Sequence, residues 1–130
     1  MSARTPKQKG KILAALIAVG IGLLVLAGCF YVGNILPEAI FTVSTTLGDS
    51  PLAVDFDASS SYDLDGTITT YAWDFGPAQT PATGILANHT FTVVGVATGP
   101  AQVFTVVLTV TDNIGGTDTA TRNITVNPKP

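Results

Sequence analysis

After a polar opening of eleven residues, apolar residues run almost unbroken from Ile12 and then, near residue 37, begin to alternate with polar ones. From Ile12 to Leu36 no charged side chain occurs, and Ile12 to Tyr31 is rich in Leu, Ile, Val and Ala. At about 1.5 Å per residue, a helix over that stretch spans roughly 30 Å, the hydrocarbon thickness of a bilayer. The pattern predicts one transmembrane helix over 12–32. Downstream, Phe41 and Val43 alternate with Thr42 and Ser44, Leu52, Val54 and Phe56 with Ala53 and Asp55, and Val106, Leu108 and Val110 with Val107, Thr109 and Thr111. A period of two with Thr and Val dominant means half-buried antiparallel strands.

Turn-forming clusters separate these runs: Gly48-Asp49-Ser50-Pro51, Asp63-Leu64-Asp65-Gly66, the Gly76 to Gly84 stretch with Pro77 and Pro81, Gly99-Pro100, and Asn113-Ile114-Gly115-Gly116. Strands are expected near 38–44, 52–58, 67–75, 88–93, 103–111 and 117–126, with at least one more short strand between 77 and 97. Such spacing predicts an all-β chain: an antiparallel, immunoglobulin-like sandwich of six or seven strands behind the transmembrane helix. Trp73, the single tryptophan, lies in the third strand, where such a fold buries one. The expected order is a basic arm 1–11, the helix 12–32, a linker 33–37, the sandwich 38–127 and a tail 128–130.

Charge sharpens the division. Arg4, Lys7, Lys9 and Lys11 all precede the apolar run, whereas all nine acids follow it, with only Arg122 and Lys129 to offset them. The positive-inside rule then places the N-terminus in the cytoplasm and the sandwich outside. An acidic domain is a poor match to phosphates, so no nucleic acid is expected as a partner. Cys29 is the only cysteine, which leaves the sandwich without a disulfide or a thiol metal set.

Two readings of the apolar segment stay open. Leu26-Ala27-Gly28-Cys29 looks like a bacterial lipobox, with Cys29 as the lipidated residue after signal cleavage. Alternatively the segment is a retained signal anchor, in which Ala14, Ala18 and Gly22 recur every fourth residue and let another transmembrane helix approach closely. Both put membrane lipid among the partners, and the first suggests a bacterial inner membrane with a periplasmic or extracellular domain.

The segments PLAVDFDASSSYDLDGTITTYAWDFG, NHTFTVVG and FTVVLTVTDNIGGTDTATRNITV carry a resemblance to the PKD (polycystic kidney disease-type) domain over residues 38–127. The tetrapeptide Trp73-Asp74-Phe75-Gly76, with the later Val110-Thr111-Asp112-Asn113, is its most specific part. The resemblance implies a seven-stranded fold, an extracellular setting and no catalysis, since PKD domains serve as spacers, adhesion modules or substrate-contacting accessories. Two stretches depart from the family: Pro77 to Pro81, where an acidic glycine-containing turn is usual, and Val96 to Gln102, which looks inserted. Both are loops that a partner could read.

Candidate chemistry is sparse. Asp63 and Asp65 are spaced so that alternate carboxylates could converge on a calcium ion, with Asp57 or Asp74 as helpers, although the closing glutamate of an EF-hand is missing. The same residues are what a tight turn requires. No other cofactor is expected. His89 has no recognisable nucleophile or orienting acid beside it, and Asn88-His89-Thr90 instead resembles the family's stretch before a buried phenylalanine, here Phe91. Asn88-His89-Thr90 and Asn123-Ile124-Thr125 match the N-glycosylation pattern, a short motif with frequent chance occurrences. Glycan binding would need exposed aromatic platforms, for which only Tyr62 and Tyr71 are at hand.

With no enzyme domain expected after Asn127-Pro128-Lys129-Pro130, two functions remain. The first is a non-enzymatic accessory subunit whose helix packs beside other transmembrane subunits and whose PKD domain docks on the extracytoplasmic face of a larger complex, such as a photosynthetic or respiratory assembly. The second is a free surface or periplasmic lipoprotein whose PKD domain serves adhesion or glycan or protein binding.

Overall fold

The computed structural model describes residues 33–94 and 99–129. The predicted helix over 12–32, with Ala14, Ala18, Gly22 and Cys29, lies outside the described residues. Among those described, no helix is long and apolar enough to cross a membrane.

Eight strands form: β1 (Thr42–Val43), β2 (Leu47–Asp49), β3 (Leu52–Asp57), β4 (Ile68–Asp74), β5 (Ala82–Thr83), β6 (Leu86–Phe91), β7 (Gln102–Asp112) and β8 (Thr117–Asn127). They make two sheets, one ordered β1-β3-β6 and the other β2-β8-β7-β4-β5. The expected all-β sandwich is there, with one strand more than the seven predicted. One pairing is also not antiparallel, because β2 runs parallel to β8, with Leu47 opposite Thr125 and Asp49 opposite Asn127. The expected first strand, 38–44, is broken into an isolated bridge between Glu38 and Tyr62 and the two-residue β1. After β1 the chain crosses to the second sheet for β2 and returns to the first for β3.

Alternation decides which side chains fill the space between the sheets. Val54 and Phe56 of β3, Trp73 of β4, Val106, Leu108 and Val110 of β7, and Ile124 and Val126 of β8 are all buried. The long β7–β8 hairpin, in register from Gln102↔Val126 to Thr111↔Thr117, supplies the rigid floor of this core. Phe56 lies at its centre, 5.5 Å from the Trp73 ring and 5.2 Å from Phe75. Phe41 meets Trp73 edge-on at 5.1 Å, a favoured aromatic geometry.

The Trp73 to Gly76 tetrapeptide divides its work residue by residue. Trp73 and Phe75 enter the core from either side of Asp74. Asp74 Oδ1 accepts the Gly76 amide at 2.8 Å, closing a side-chain turn. Gly76 takes φ = +104°, a conformation that a side chain would strain. The Pro77 to Pro81 stretch is a loop, as read from sequence, with Pro77, Ala78, Thr80 and Pro81 exposed, and it also shapes the sandwich beside it. It delivers β5 to pair with Ala72 and Trp73, brings Gly84 O to within 2.8 Å of the Trp73 indole N–H, and places Gln79 Oε1 2.8 Å from His89 Nε2.

Candidate functional site

Three segments meet at the pole where the chain enters the sandwich: residues 34–36, the loop 63–66 before β4, and the turn 113–116 between β7 and β8. Asn34 donates through Nδ2 to Asp112 Oδ2 at 2.7 Å, and the Ile35 amide donates to Asp65 Oδ2 at 3.1 Å. The Thr67 amide donates to Asn113 Oδ1 at 2.9 Å, which ties the loop to the turn. Asp63 Oδ1 accepts the Asp65 amide at 3.2 Å, the turn-capping role that an aspartate in such a loop commonly fills.

Two oxygens at this pole are left over. Asp63 Oδ2 and Asn34 Oδ1 are buried and accept nothing. A buried acceptor without a partner costs on the order of 1–3 kcal/mol, more if charged. Gly66 shows how crowded the position is, because a Cβ there would collide with Asn113 Oδ1 and stand 2.6 Å from Asp63 Oδ2. Only glycine lets those two oxygens converge on one point.

This arrangement fits a hard cation in kind. The donors are carboxylate and amide oxygens, the set that calcium prefers, and sulfur or imidazole, which zinc would favour, is absent from the pole. Among the described residues, no three His, Cys, Asp or Glu side chains stand close enough to hold a metal by themselves. Asn34 and Asn113 would therefore have to complete the set begun by Asp63 and Asp65. Neither asparagine was singled out by sequence spacing. Of the two helpers suggested from sequence, Asp74 lies at the far end of β4 and caps Gly76, and Asp57 accepts the Ser59 amide at 2.8 Å.

Asp112 secures the pole. It is buried, and its Oδ1 accepts the amides of Ile114 at 2.7 Å and Gly116 at 2.8 Å while Oδ2 holds Asn34. The Asn34 bond, aided by those amides, holds its carboxyl below the usual carboxylate range. The stability that follows is fully present above the ordinary aspartate value of about 3.9 and is lost as pH falls through it toward the lower folded-state value. Acid titration of the melting temperature should show this loss beginning near pH 4. In Asp112→Asn the acid limb should be shallower, and an unchanged limb would assign it to other carboxylates.

The remaining sequence candidates are structural. His89 stacks on Phe75 at 4.2 Å and meets Phe91 edge-on at 4.7 Å, and its burial holds its pKa below the ordinary histidine value. Trp73 is buried, Tyr71 packs against the core, and the Tyr62 hydroxyl donates to Glu38. Asn88, in the first glycosylation-type motif, donates to Asp55 at 2.6 Å, and Asn123, in the second, accepts from Thr105 at 3.0 Å. Sequence reasoning missed a groove of about 600 Å³ across the outer face of the three-stranded sheet, lined by Thr42, Ser44, Asp55, Asp57, Leu86 and Asn88. Its signal was Leu86, an exposed apolar residue in an otherwise polar outward row.

A family model for the PKD domain matches residues 36–126. The chain belongs to the PKD domain family. It is similar to the Collagenase ColA of Clostridium perfringens (strain 13 / Type A), 37% identical over 73 residues, which are 56% of this chain and 6% of the collagenase. The chain thus spans a small fraction of that relative's length. Among solved structures, the PKD1 domain of Vibrio anguillarum Epp superposes with a TM-score of 0.58 at 35% identity, covering 75% of this chain and all of that domain. A structure solved in work on the promiscuous specificity of carbohydrate-binding modules of the β-sandwich superfamily gives a TM-score of 0.64 at 34% identity, over 74% of this chain and 36% of the other. The PKD resemblance read from the Trp73 to Gly76 signature therefore holds.

Proposed function

We propose that this PKD chain is a non-catalytic accessory subunit, tethered by its apolar N-terminal segment, whose sandwich docks on the extracytoplasmic face of a larger membrane protein complex. The observation that carries this reading is the filled interior. The space between the sheets is occupied by Phe56, Trp73, Phe75, Phe91 and the β7–β8 side chains, and the lone histidine is packed between two phenylalanines. A sandwich so filled has surfaces to offer, and among the described residues its lone histidine is held by Gln79, Phe75 and Phe91 and not beside a nucleophile and an orienting acid. The similarity to a minor part of a clostridial collagenase supports an extracellular accessory role. The groove containing Leu86 and Asn88 is the contact surface that the docking reading favours.

The similarity to a structure from work on carbohydrate-binding modules favours a second reading, a free lipoprotein with a glycan- or protein-binding PKD domain. Against a glycan, the described tyrosines and tryptophan provide a thin platform, since Trp73 is buried, Tyr71 packs on the core and Tyr62 alone is exposed, its hydroxyl held by Glu38. Intact mass of the native protein, with identification of what co-purifies in mild detergent, separates the two. A chain retaining Met1 in stoichiometric company is the expected result. A chain beginning at a lipidated Cys29 and extracted alone would replace the first reading with the second.

We further propose a calcium ion at the entry pole, with Asp63, Asp65, Asn34 and Asn113 as its oxygen donors. It would relieve the two unpartnered oxygens there and fasten the entering chain to the loop and the turn.

A further inference from the structure

The entry pole also carries exposed apolar side chains. Leu64 on the loop is 73% exposed, Ile114 on the turn 65% and Leu36 on the entering segment 61%, with Ile35 beside them at 45%. Contacts already described bring these four together. The Ile35 amide bonds to Asp65, one residue from Leu64, and Leu36 Cδ2 lies 2.9 Å from where a Gly116 Cβ would stand, two residues from Ile114. Four branched apolar side chains on three separate segments of one pole form a crown, whereas apolar residues scattered singly over a surface would call for no explanation.

Chain length determines what can cover it. Ile35 lies only four residue steps beyond Tyr31, the end of the apolar run. At no more than about 3.6 Å per residue, Ile35 stays within roughly 15 Å of the point where the chain leaves the apolar run, which keeps the pole within reach of the headgroup layer. If that run is in the bilayer, the interface is the surface nearest the crown. The charge at this end points to the same occupant. Among the described residues the only cations are Arg122, in the middle of β8, and Lys129, past its far end, so the pole has no basic residue with which to seek anionic lipid. Asp112 and Asp65 accept from Asn34, the Ile35 amide and the turn amides.

We infer that Ile35, Leu36, Leu64 and Ile114 insert into the interfacial layer of the membrane that tethers the chain, seating the PKD domain pole-down on an uncharged lipid surface. This rests on the proposed tether and deepens it. The tether alone would leave the sandwich free to tumble, whereas a seated pole fixes its orientation and presents the outer sheet faces sideways to neighbouring proteins.

The full chain, methyl-labelled at Ile, Leu and Val and reconstituted in phosphatidylcholine nanodiscs doped with headgroup spin-labelled lipid, provides the test. The expected result is signal loss concentrated at the methyls of Ile35, Leu36, Leu64 and Ile114, with Leu86 and Val103, exposed on other parts of the sandwich, keeping theirs. In the double variant Leu64→Asp, Ile114→Asp the loss at Ile35 and Leu36 should fall while the melting temperature is unchanged. A chain that enters the disc yet shows no loss at the crown, or an even loss over the whole sandwich, overturns the seating while leaving the tether intact. Crown signals that respond to protein per disc and not to labelled lipid would assign the surface to a second copy and equally overturn it. A chain that does not enter the disc overturns the tether itself.

Discussion

Replacing Trp73 by alanine is expected to cost about 3–5 kcal/mol, the range for deleting a large buried aromatic with its cavity left unfilled. Trp73 is 1% exposed and touches Phe41, Phe56 and Phe75, three rings contributed by different parts of the chain. Its indole N–H is also the partner of Gly84 O, so the change frees an acceptor at the end of β5. For a domain of this size the loss corresponds to a fall in melting temperature on the order of 15–30 °C. Against a typical total of about 5–15 kcal/mol, it leaves the sandwich marginal or unfolded at room temperature. Trp73→Phe keeps most of the ring volume and loses the hydrogen bond, so its effect should be well under half as large. Thermal melts followed by circular dichroism decide the matter, since the alanine variant has no tryptophan to report. A variant melting within a few degrees of the parent would mean that the aromatic cluster is not the keystone of this core.

The second large effect concerns the entry pole. Calcium supplied at a hundred times its dissociation constant should stabilise the domain by about 2.7 kcal/mol, provided the unfolded chain does not bind it. The melting temperature should rise by roughly 10–20 °C for a domain of this size, and a chelator should reverse the rise. In Asp63→Asn, the new Nδ2 would stand beside Asn113 Oδ1 and could donate to it, removing the unpartnered oxygen by another route. That variant should therefore be no less stable than the parent without calcium and should gain much less when calcium is added. A melting temperature indifferent to both calcium and chelator disposes of the site. An equal response in parent and variant moves the ion elsewhere.

How far the sequence could be read follows from the range of each interaction. Strands with a clear period of two, such as those containing Val54 and Phe56 or Val106, Leu108 and Val110, were legible because alternate residues must face the core together. The Trp73 to Gly76 signature was legible for the same local reason, since the turn is closed by Asp74 upon a residue two places on. What escaped was set by partners far away in the chain. Leu47–Asp49 reads as the start of a turn, and only its parallel register against Thr125 to Asn127 makes it a strand. At the pole, Asp63 and Asp65 are two residues apart and visible as a pair, but Asn113 lies far downstream and Asn34 far upstream. No spacing rule joins them. The Pro77 to Pro81 loop was legible as a loop, but proline signals a bend without saying toward what the chain bends, and here it leads into the strand that pairs with Trp73.

The parallel pairing of β2 with β8 has a mechanical consequence. β8 begins at the turn beside the entering chain and ends at Asn127 at the opposite pole, so the two ends of the domain leave it in opposite directions. Tension applied through them draws Leu47–Asp49 one way along its partner and Thr125–Asn127 the other. The bonds from the Thr125 amide to Thr46 O at 2.8 Å and from the Ser50 amide to Asn127 O at 2.9 Å then lie across the direction of sliding and share the load at once, whereas strands peeled from one end would release them singly. A PKD domain built this way resists stretching along its long axis better than its modest core alone would suggest.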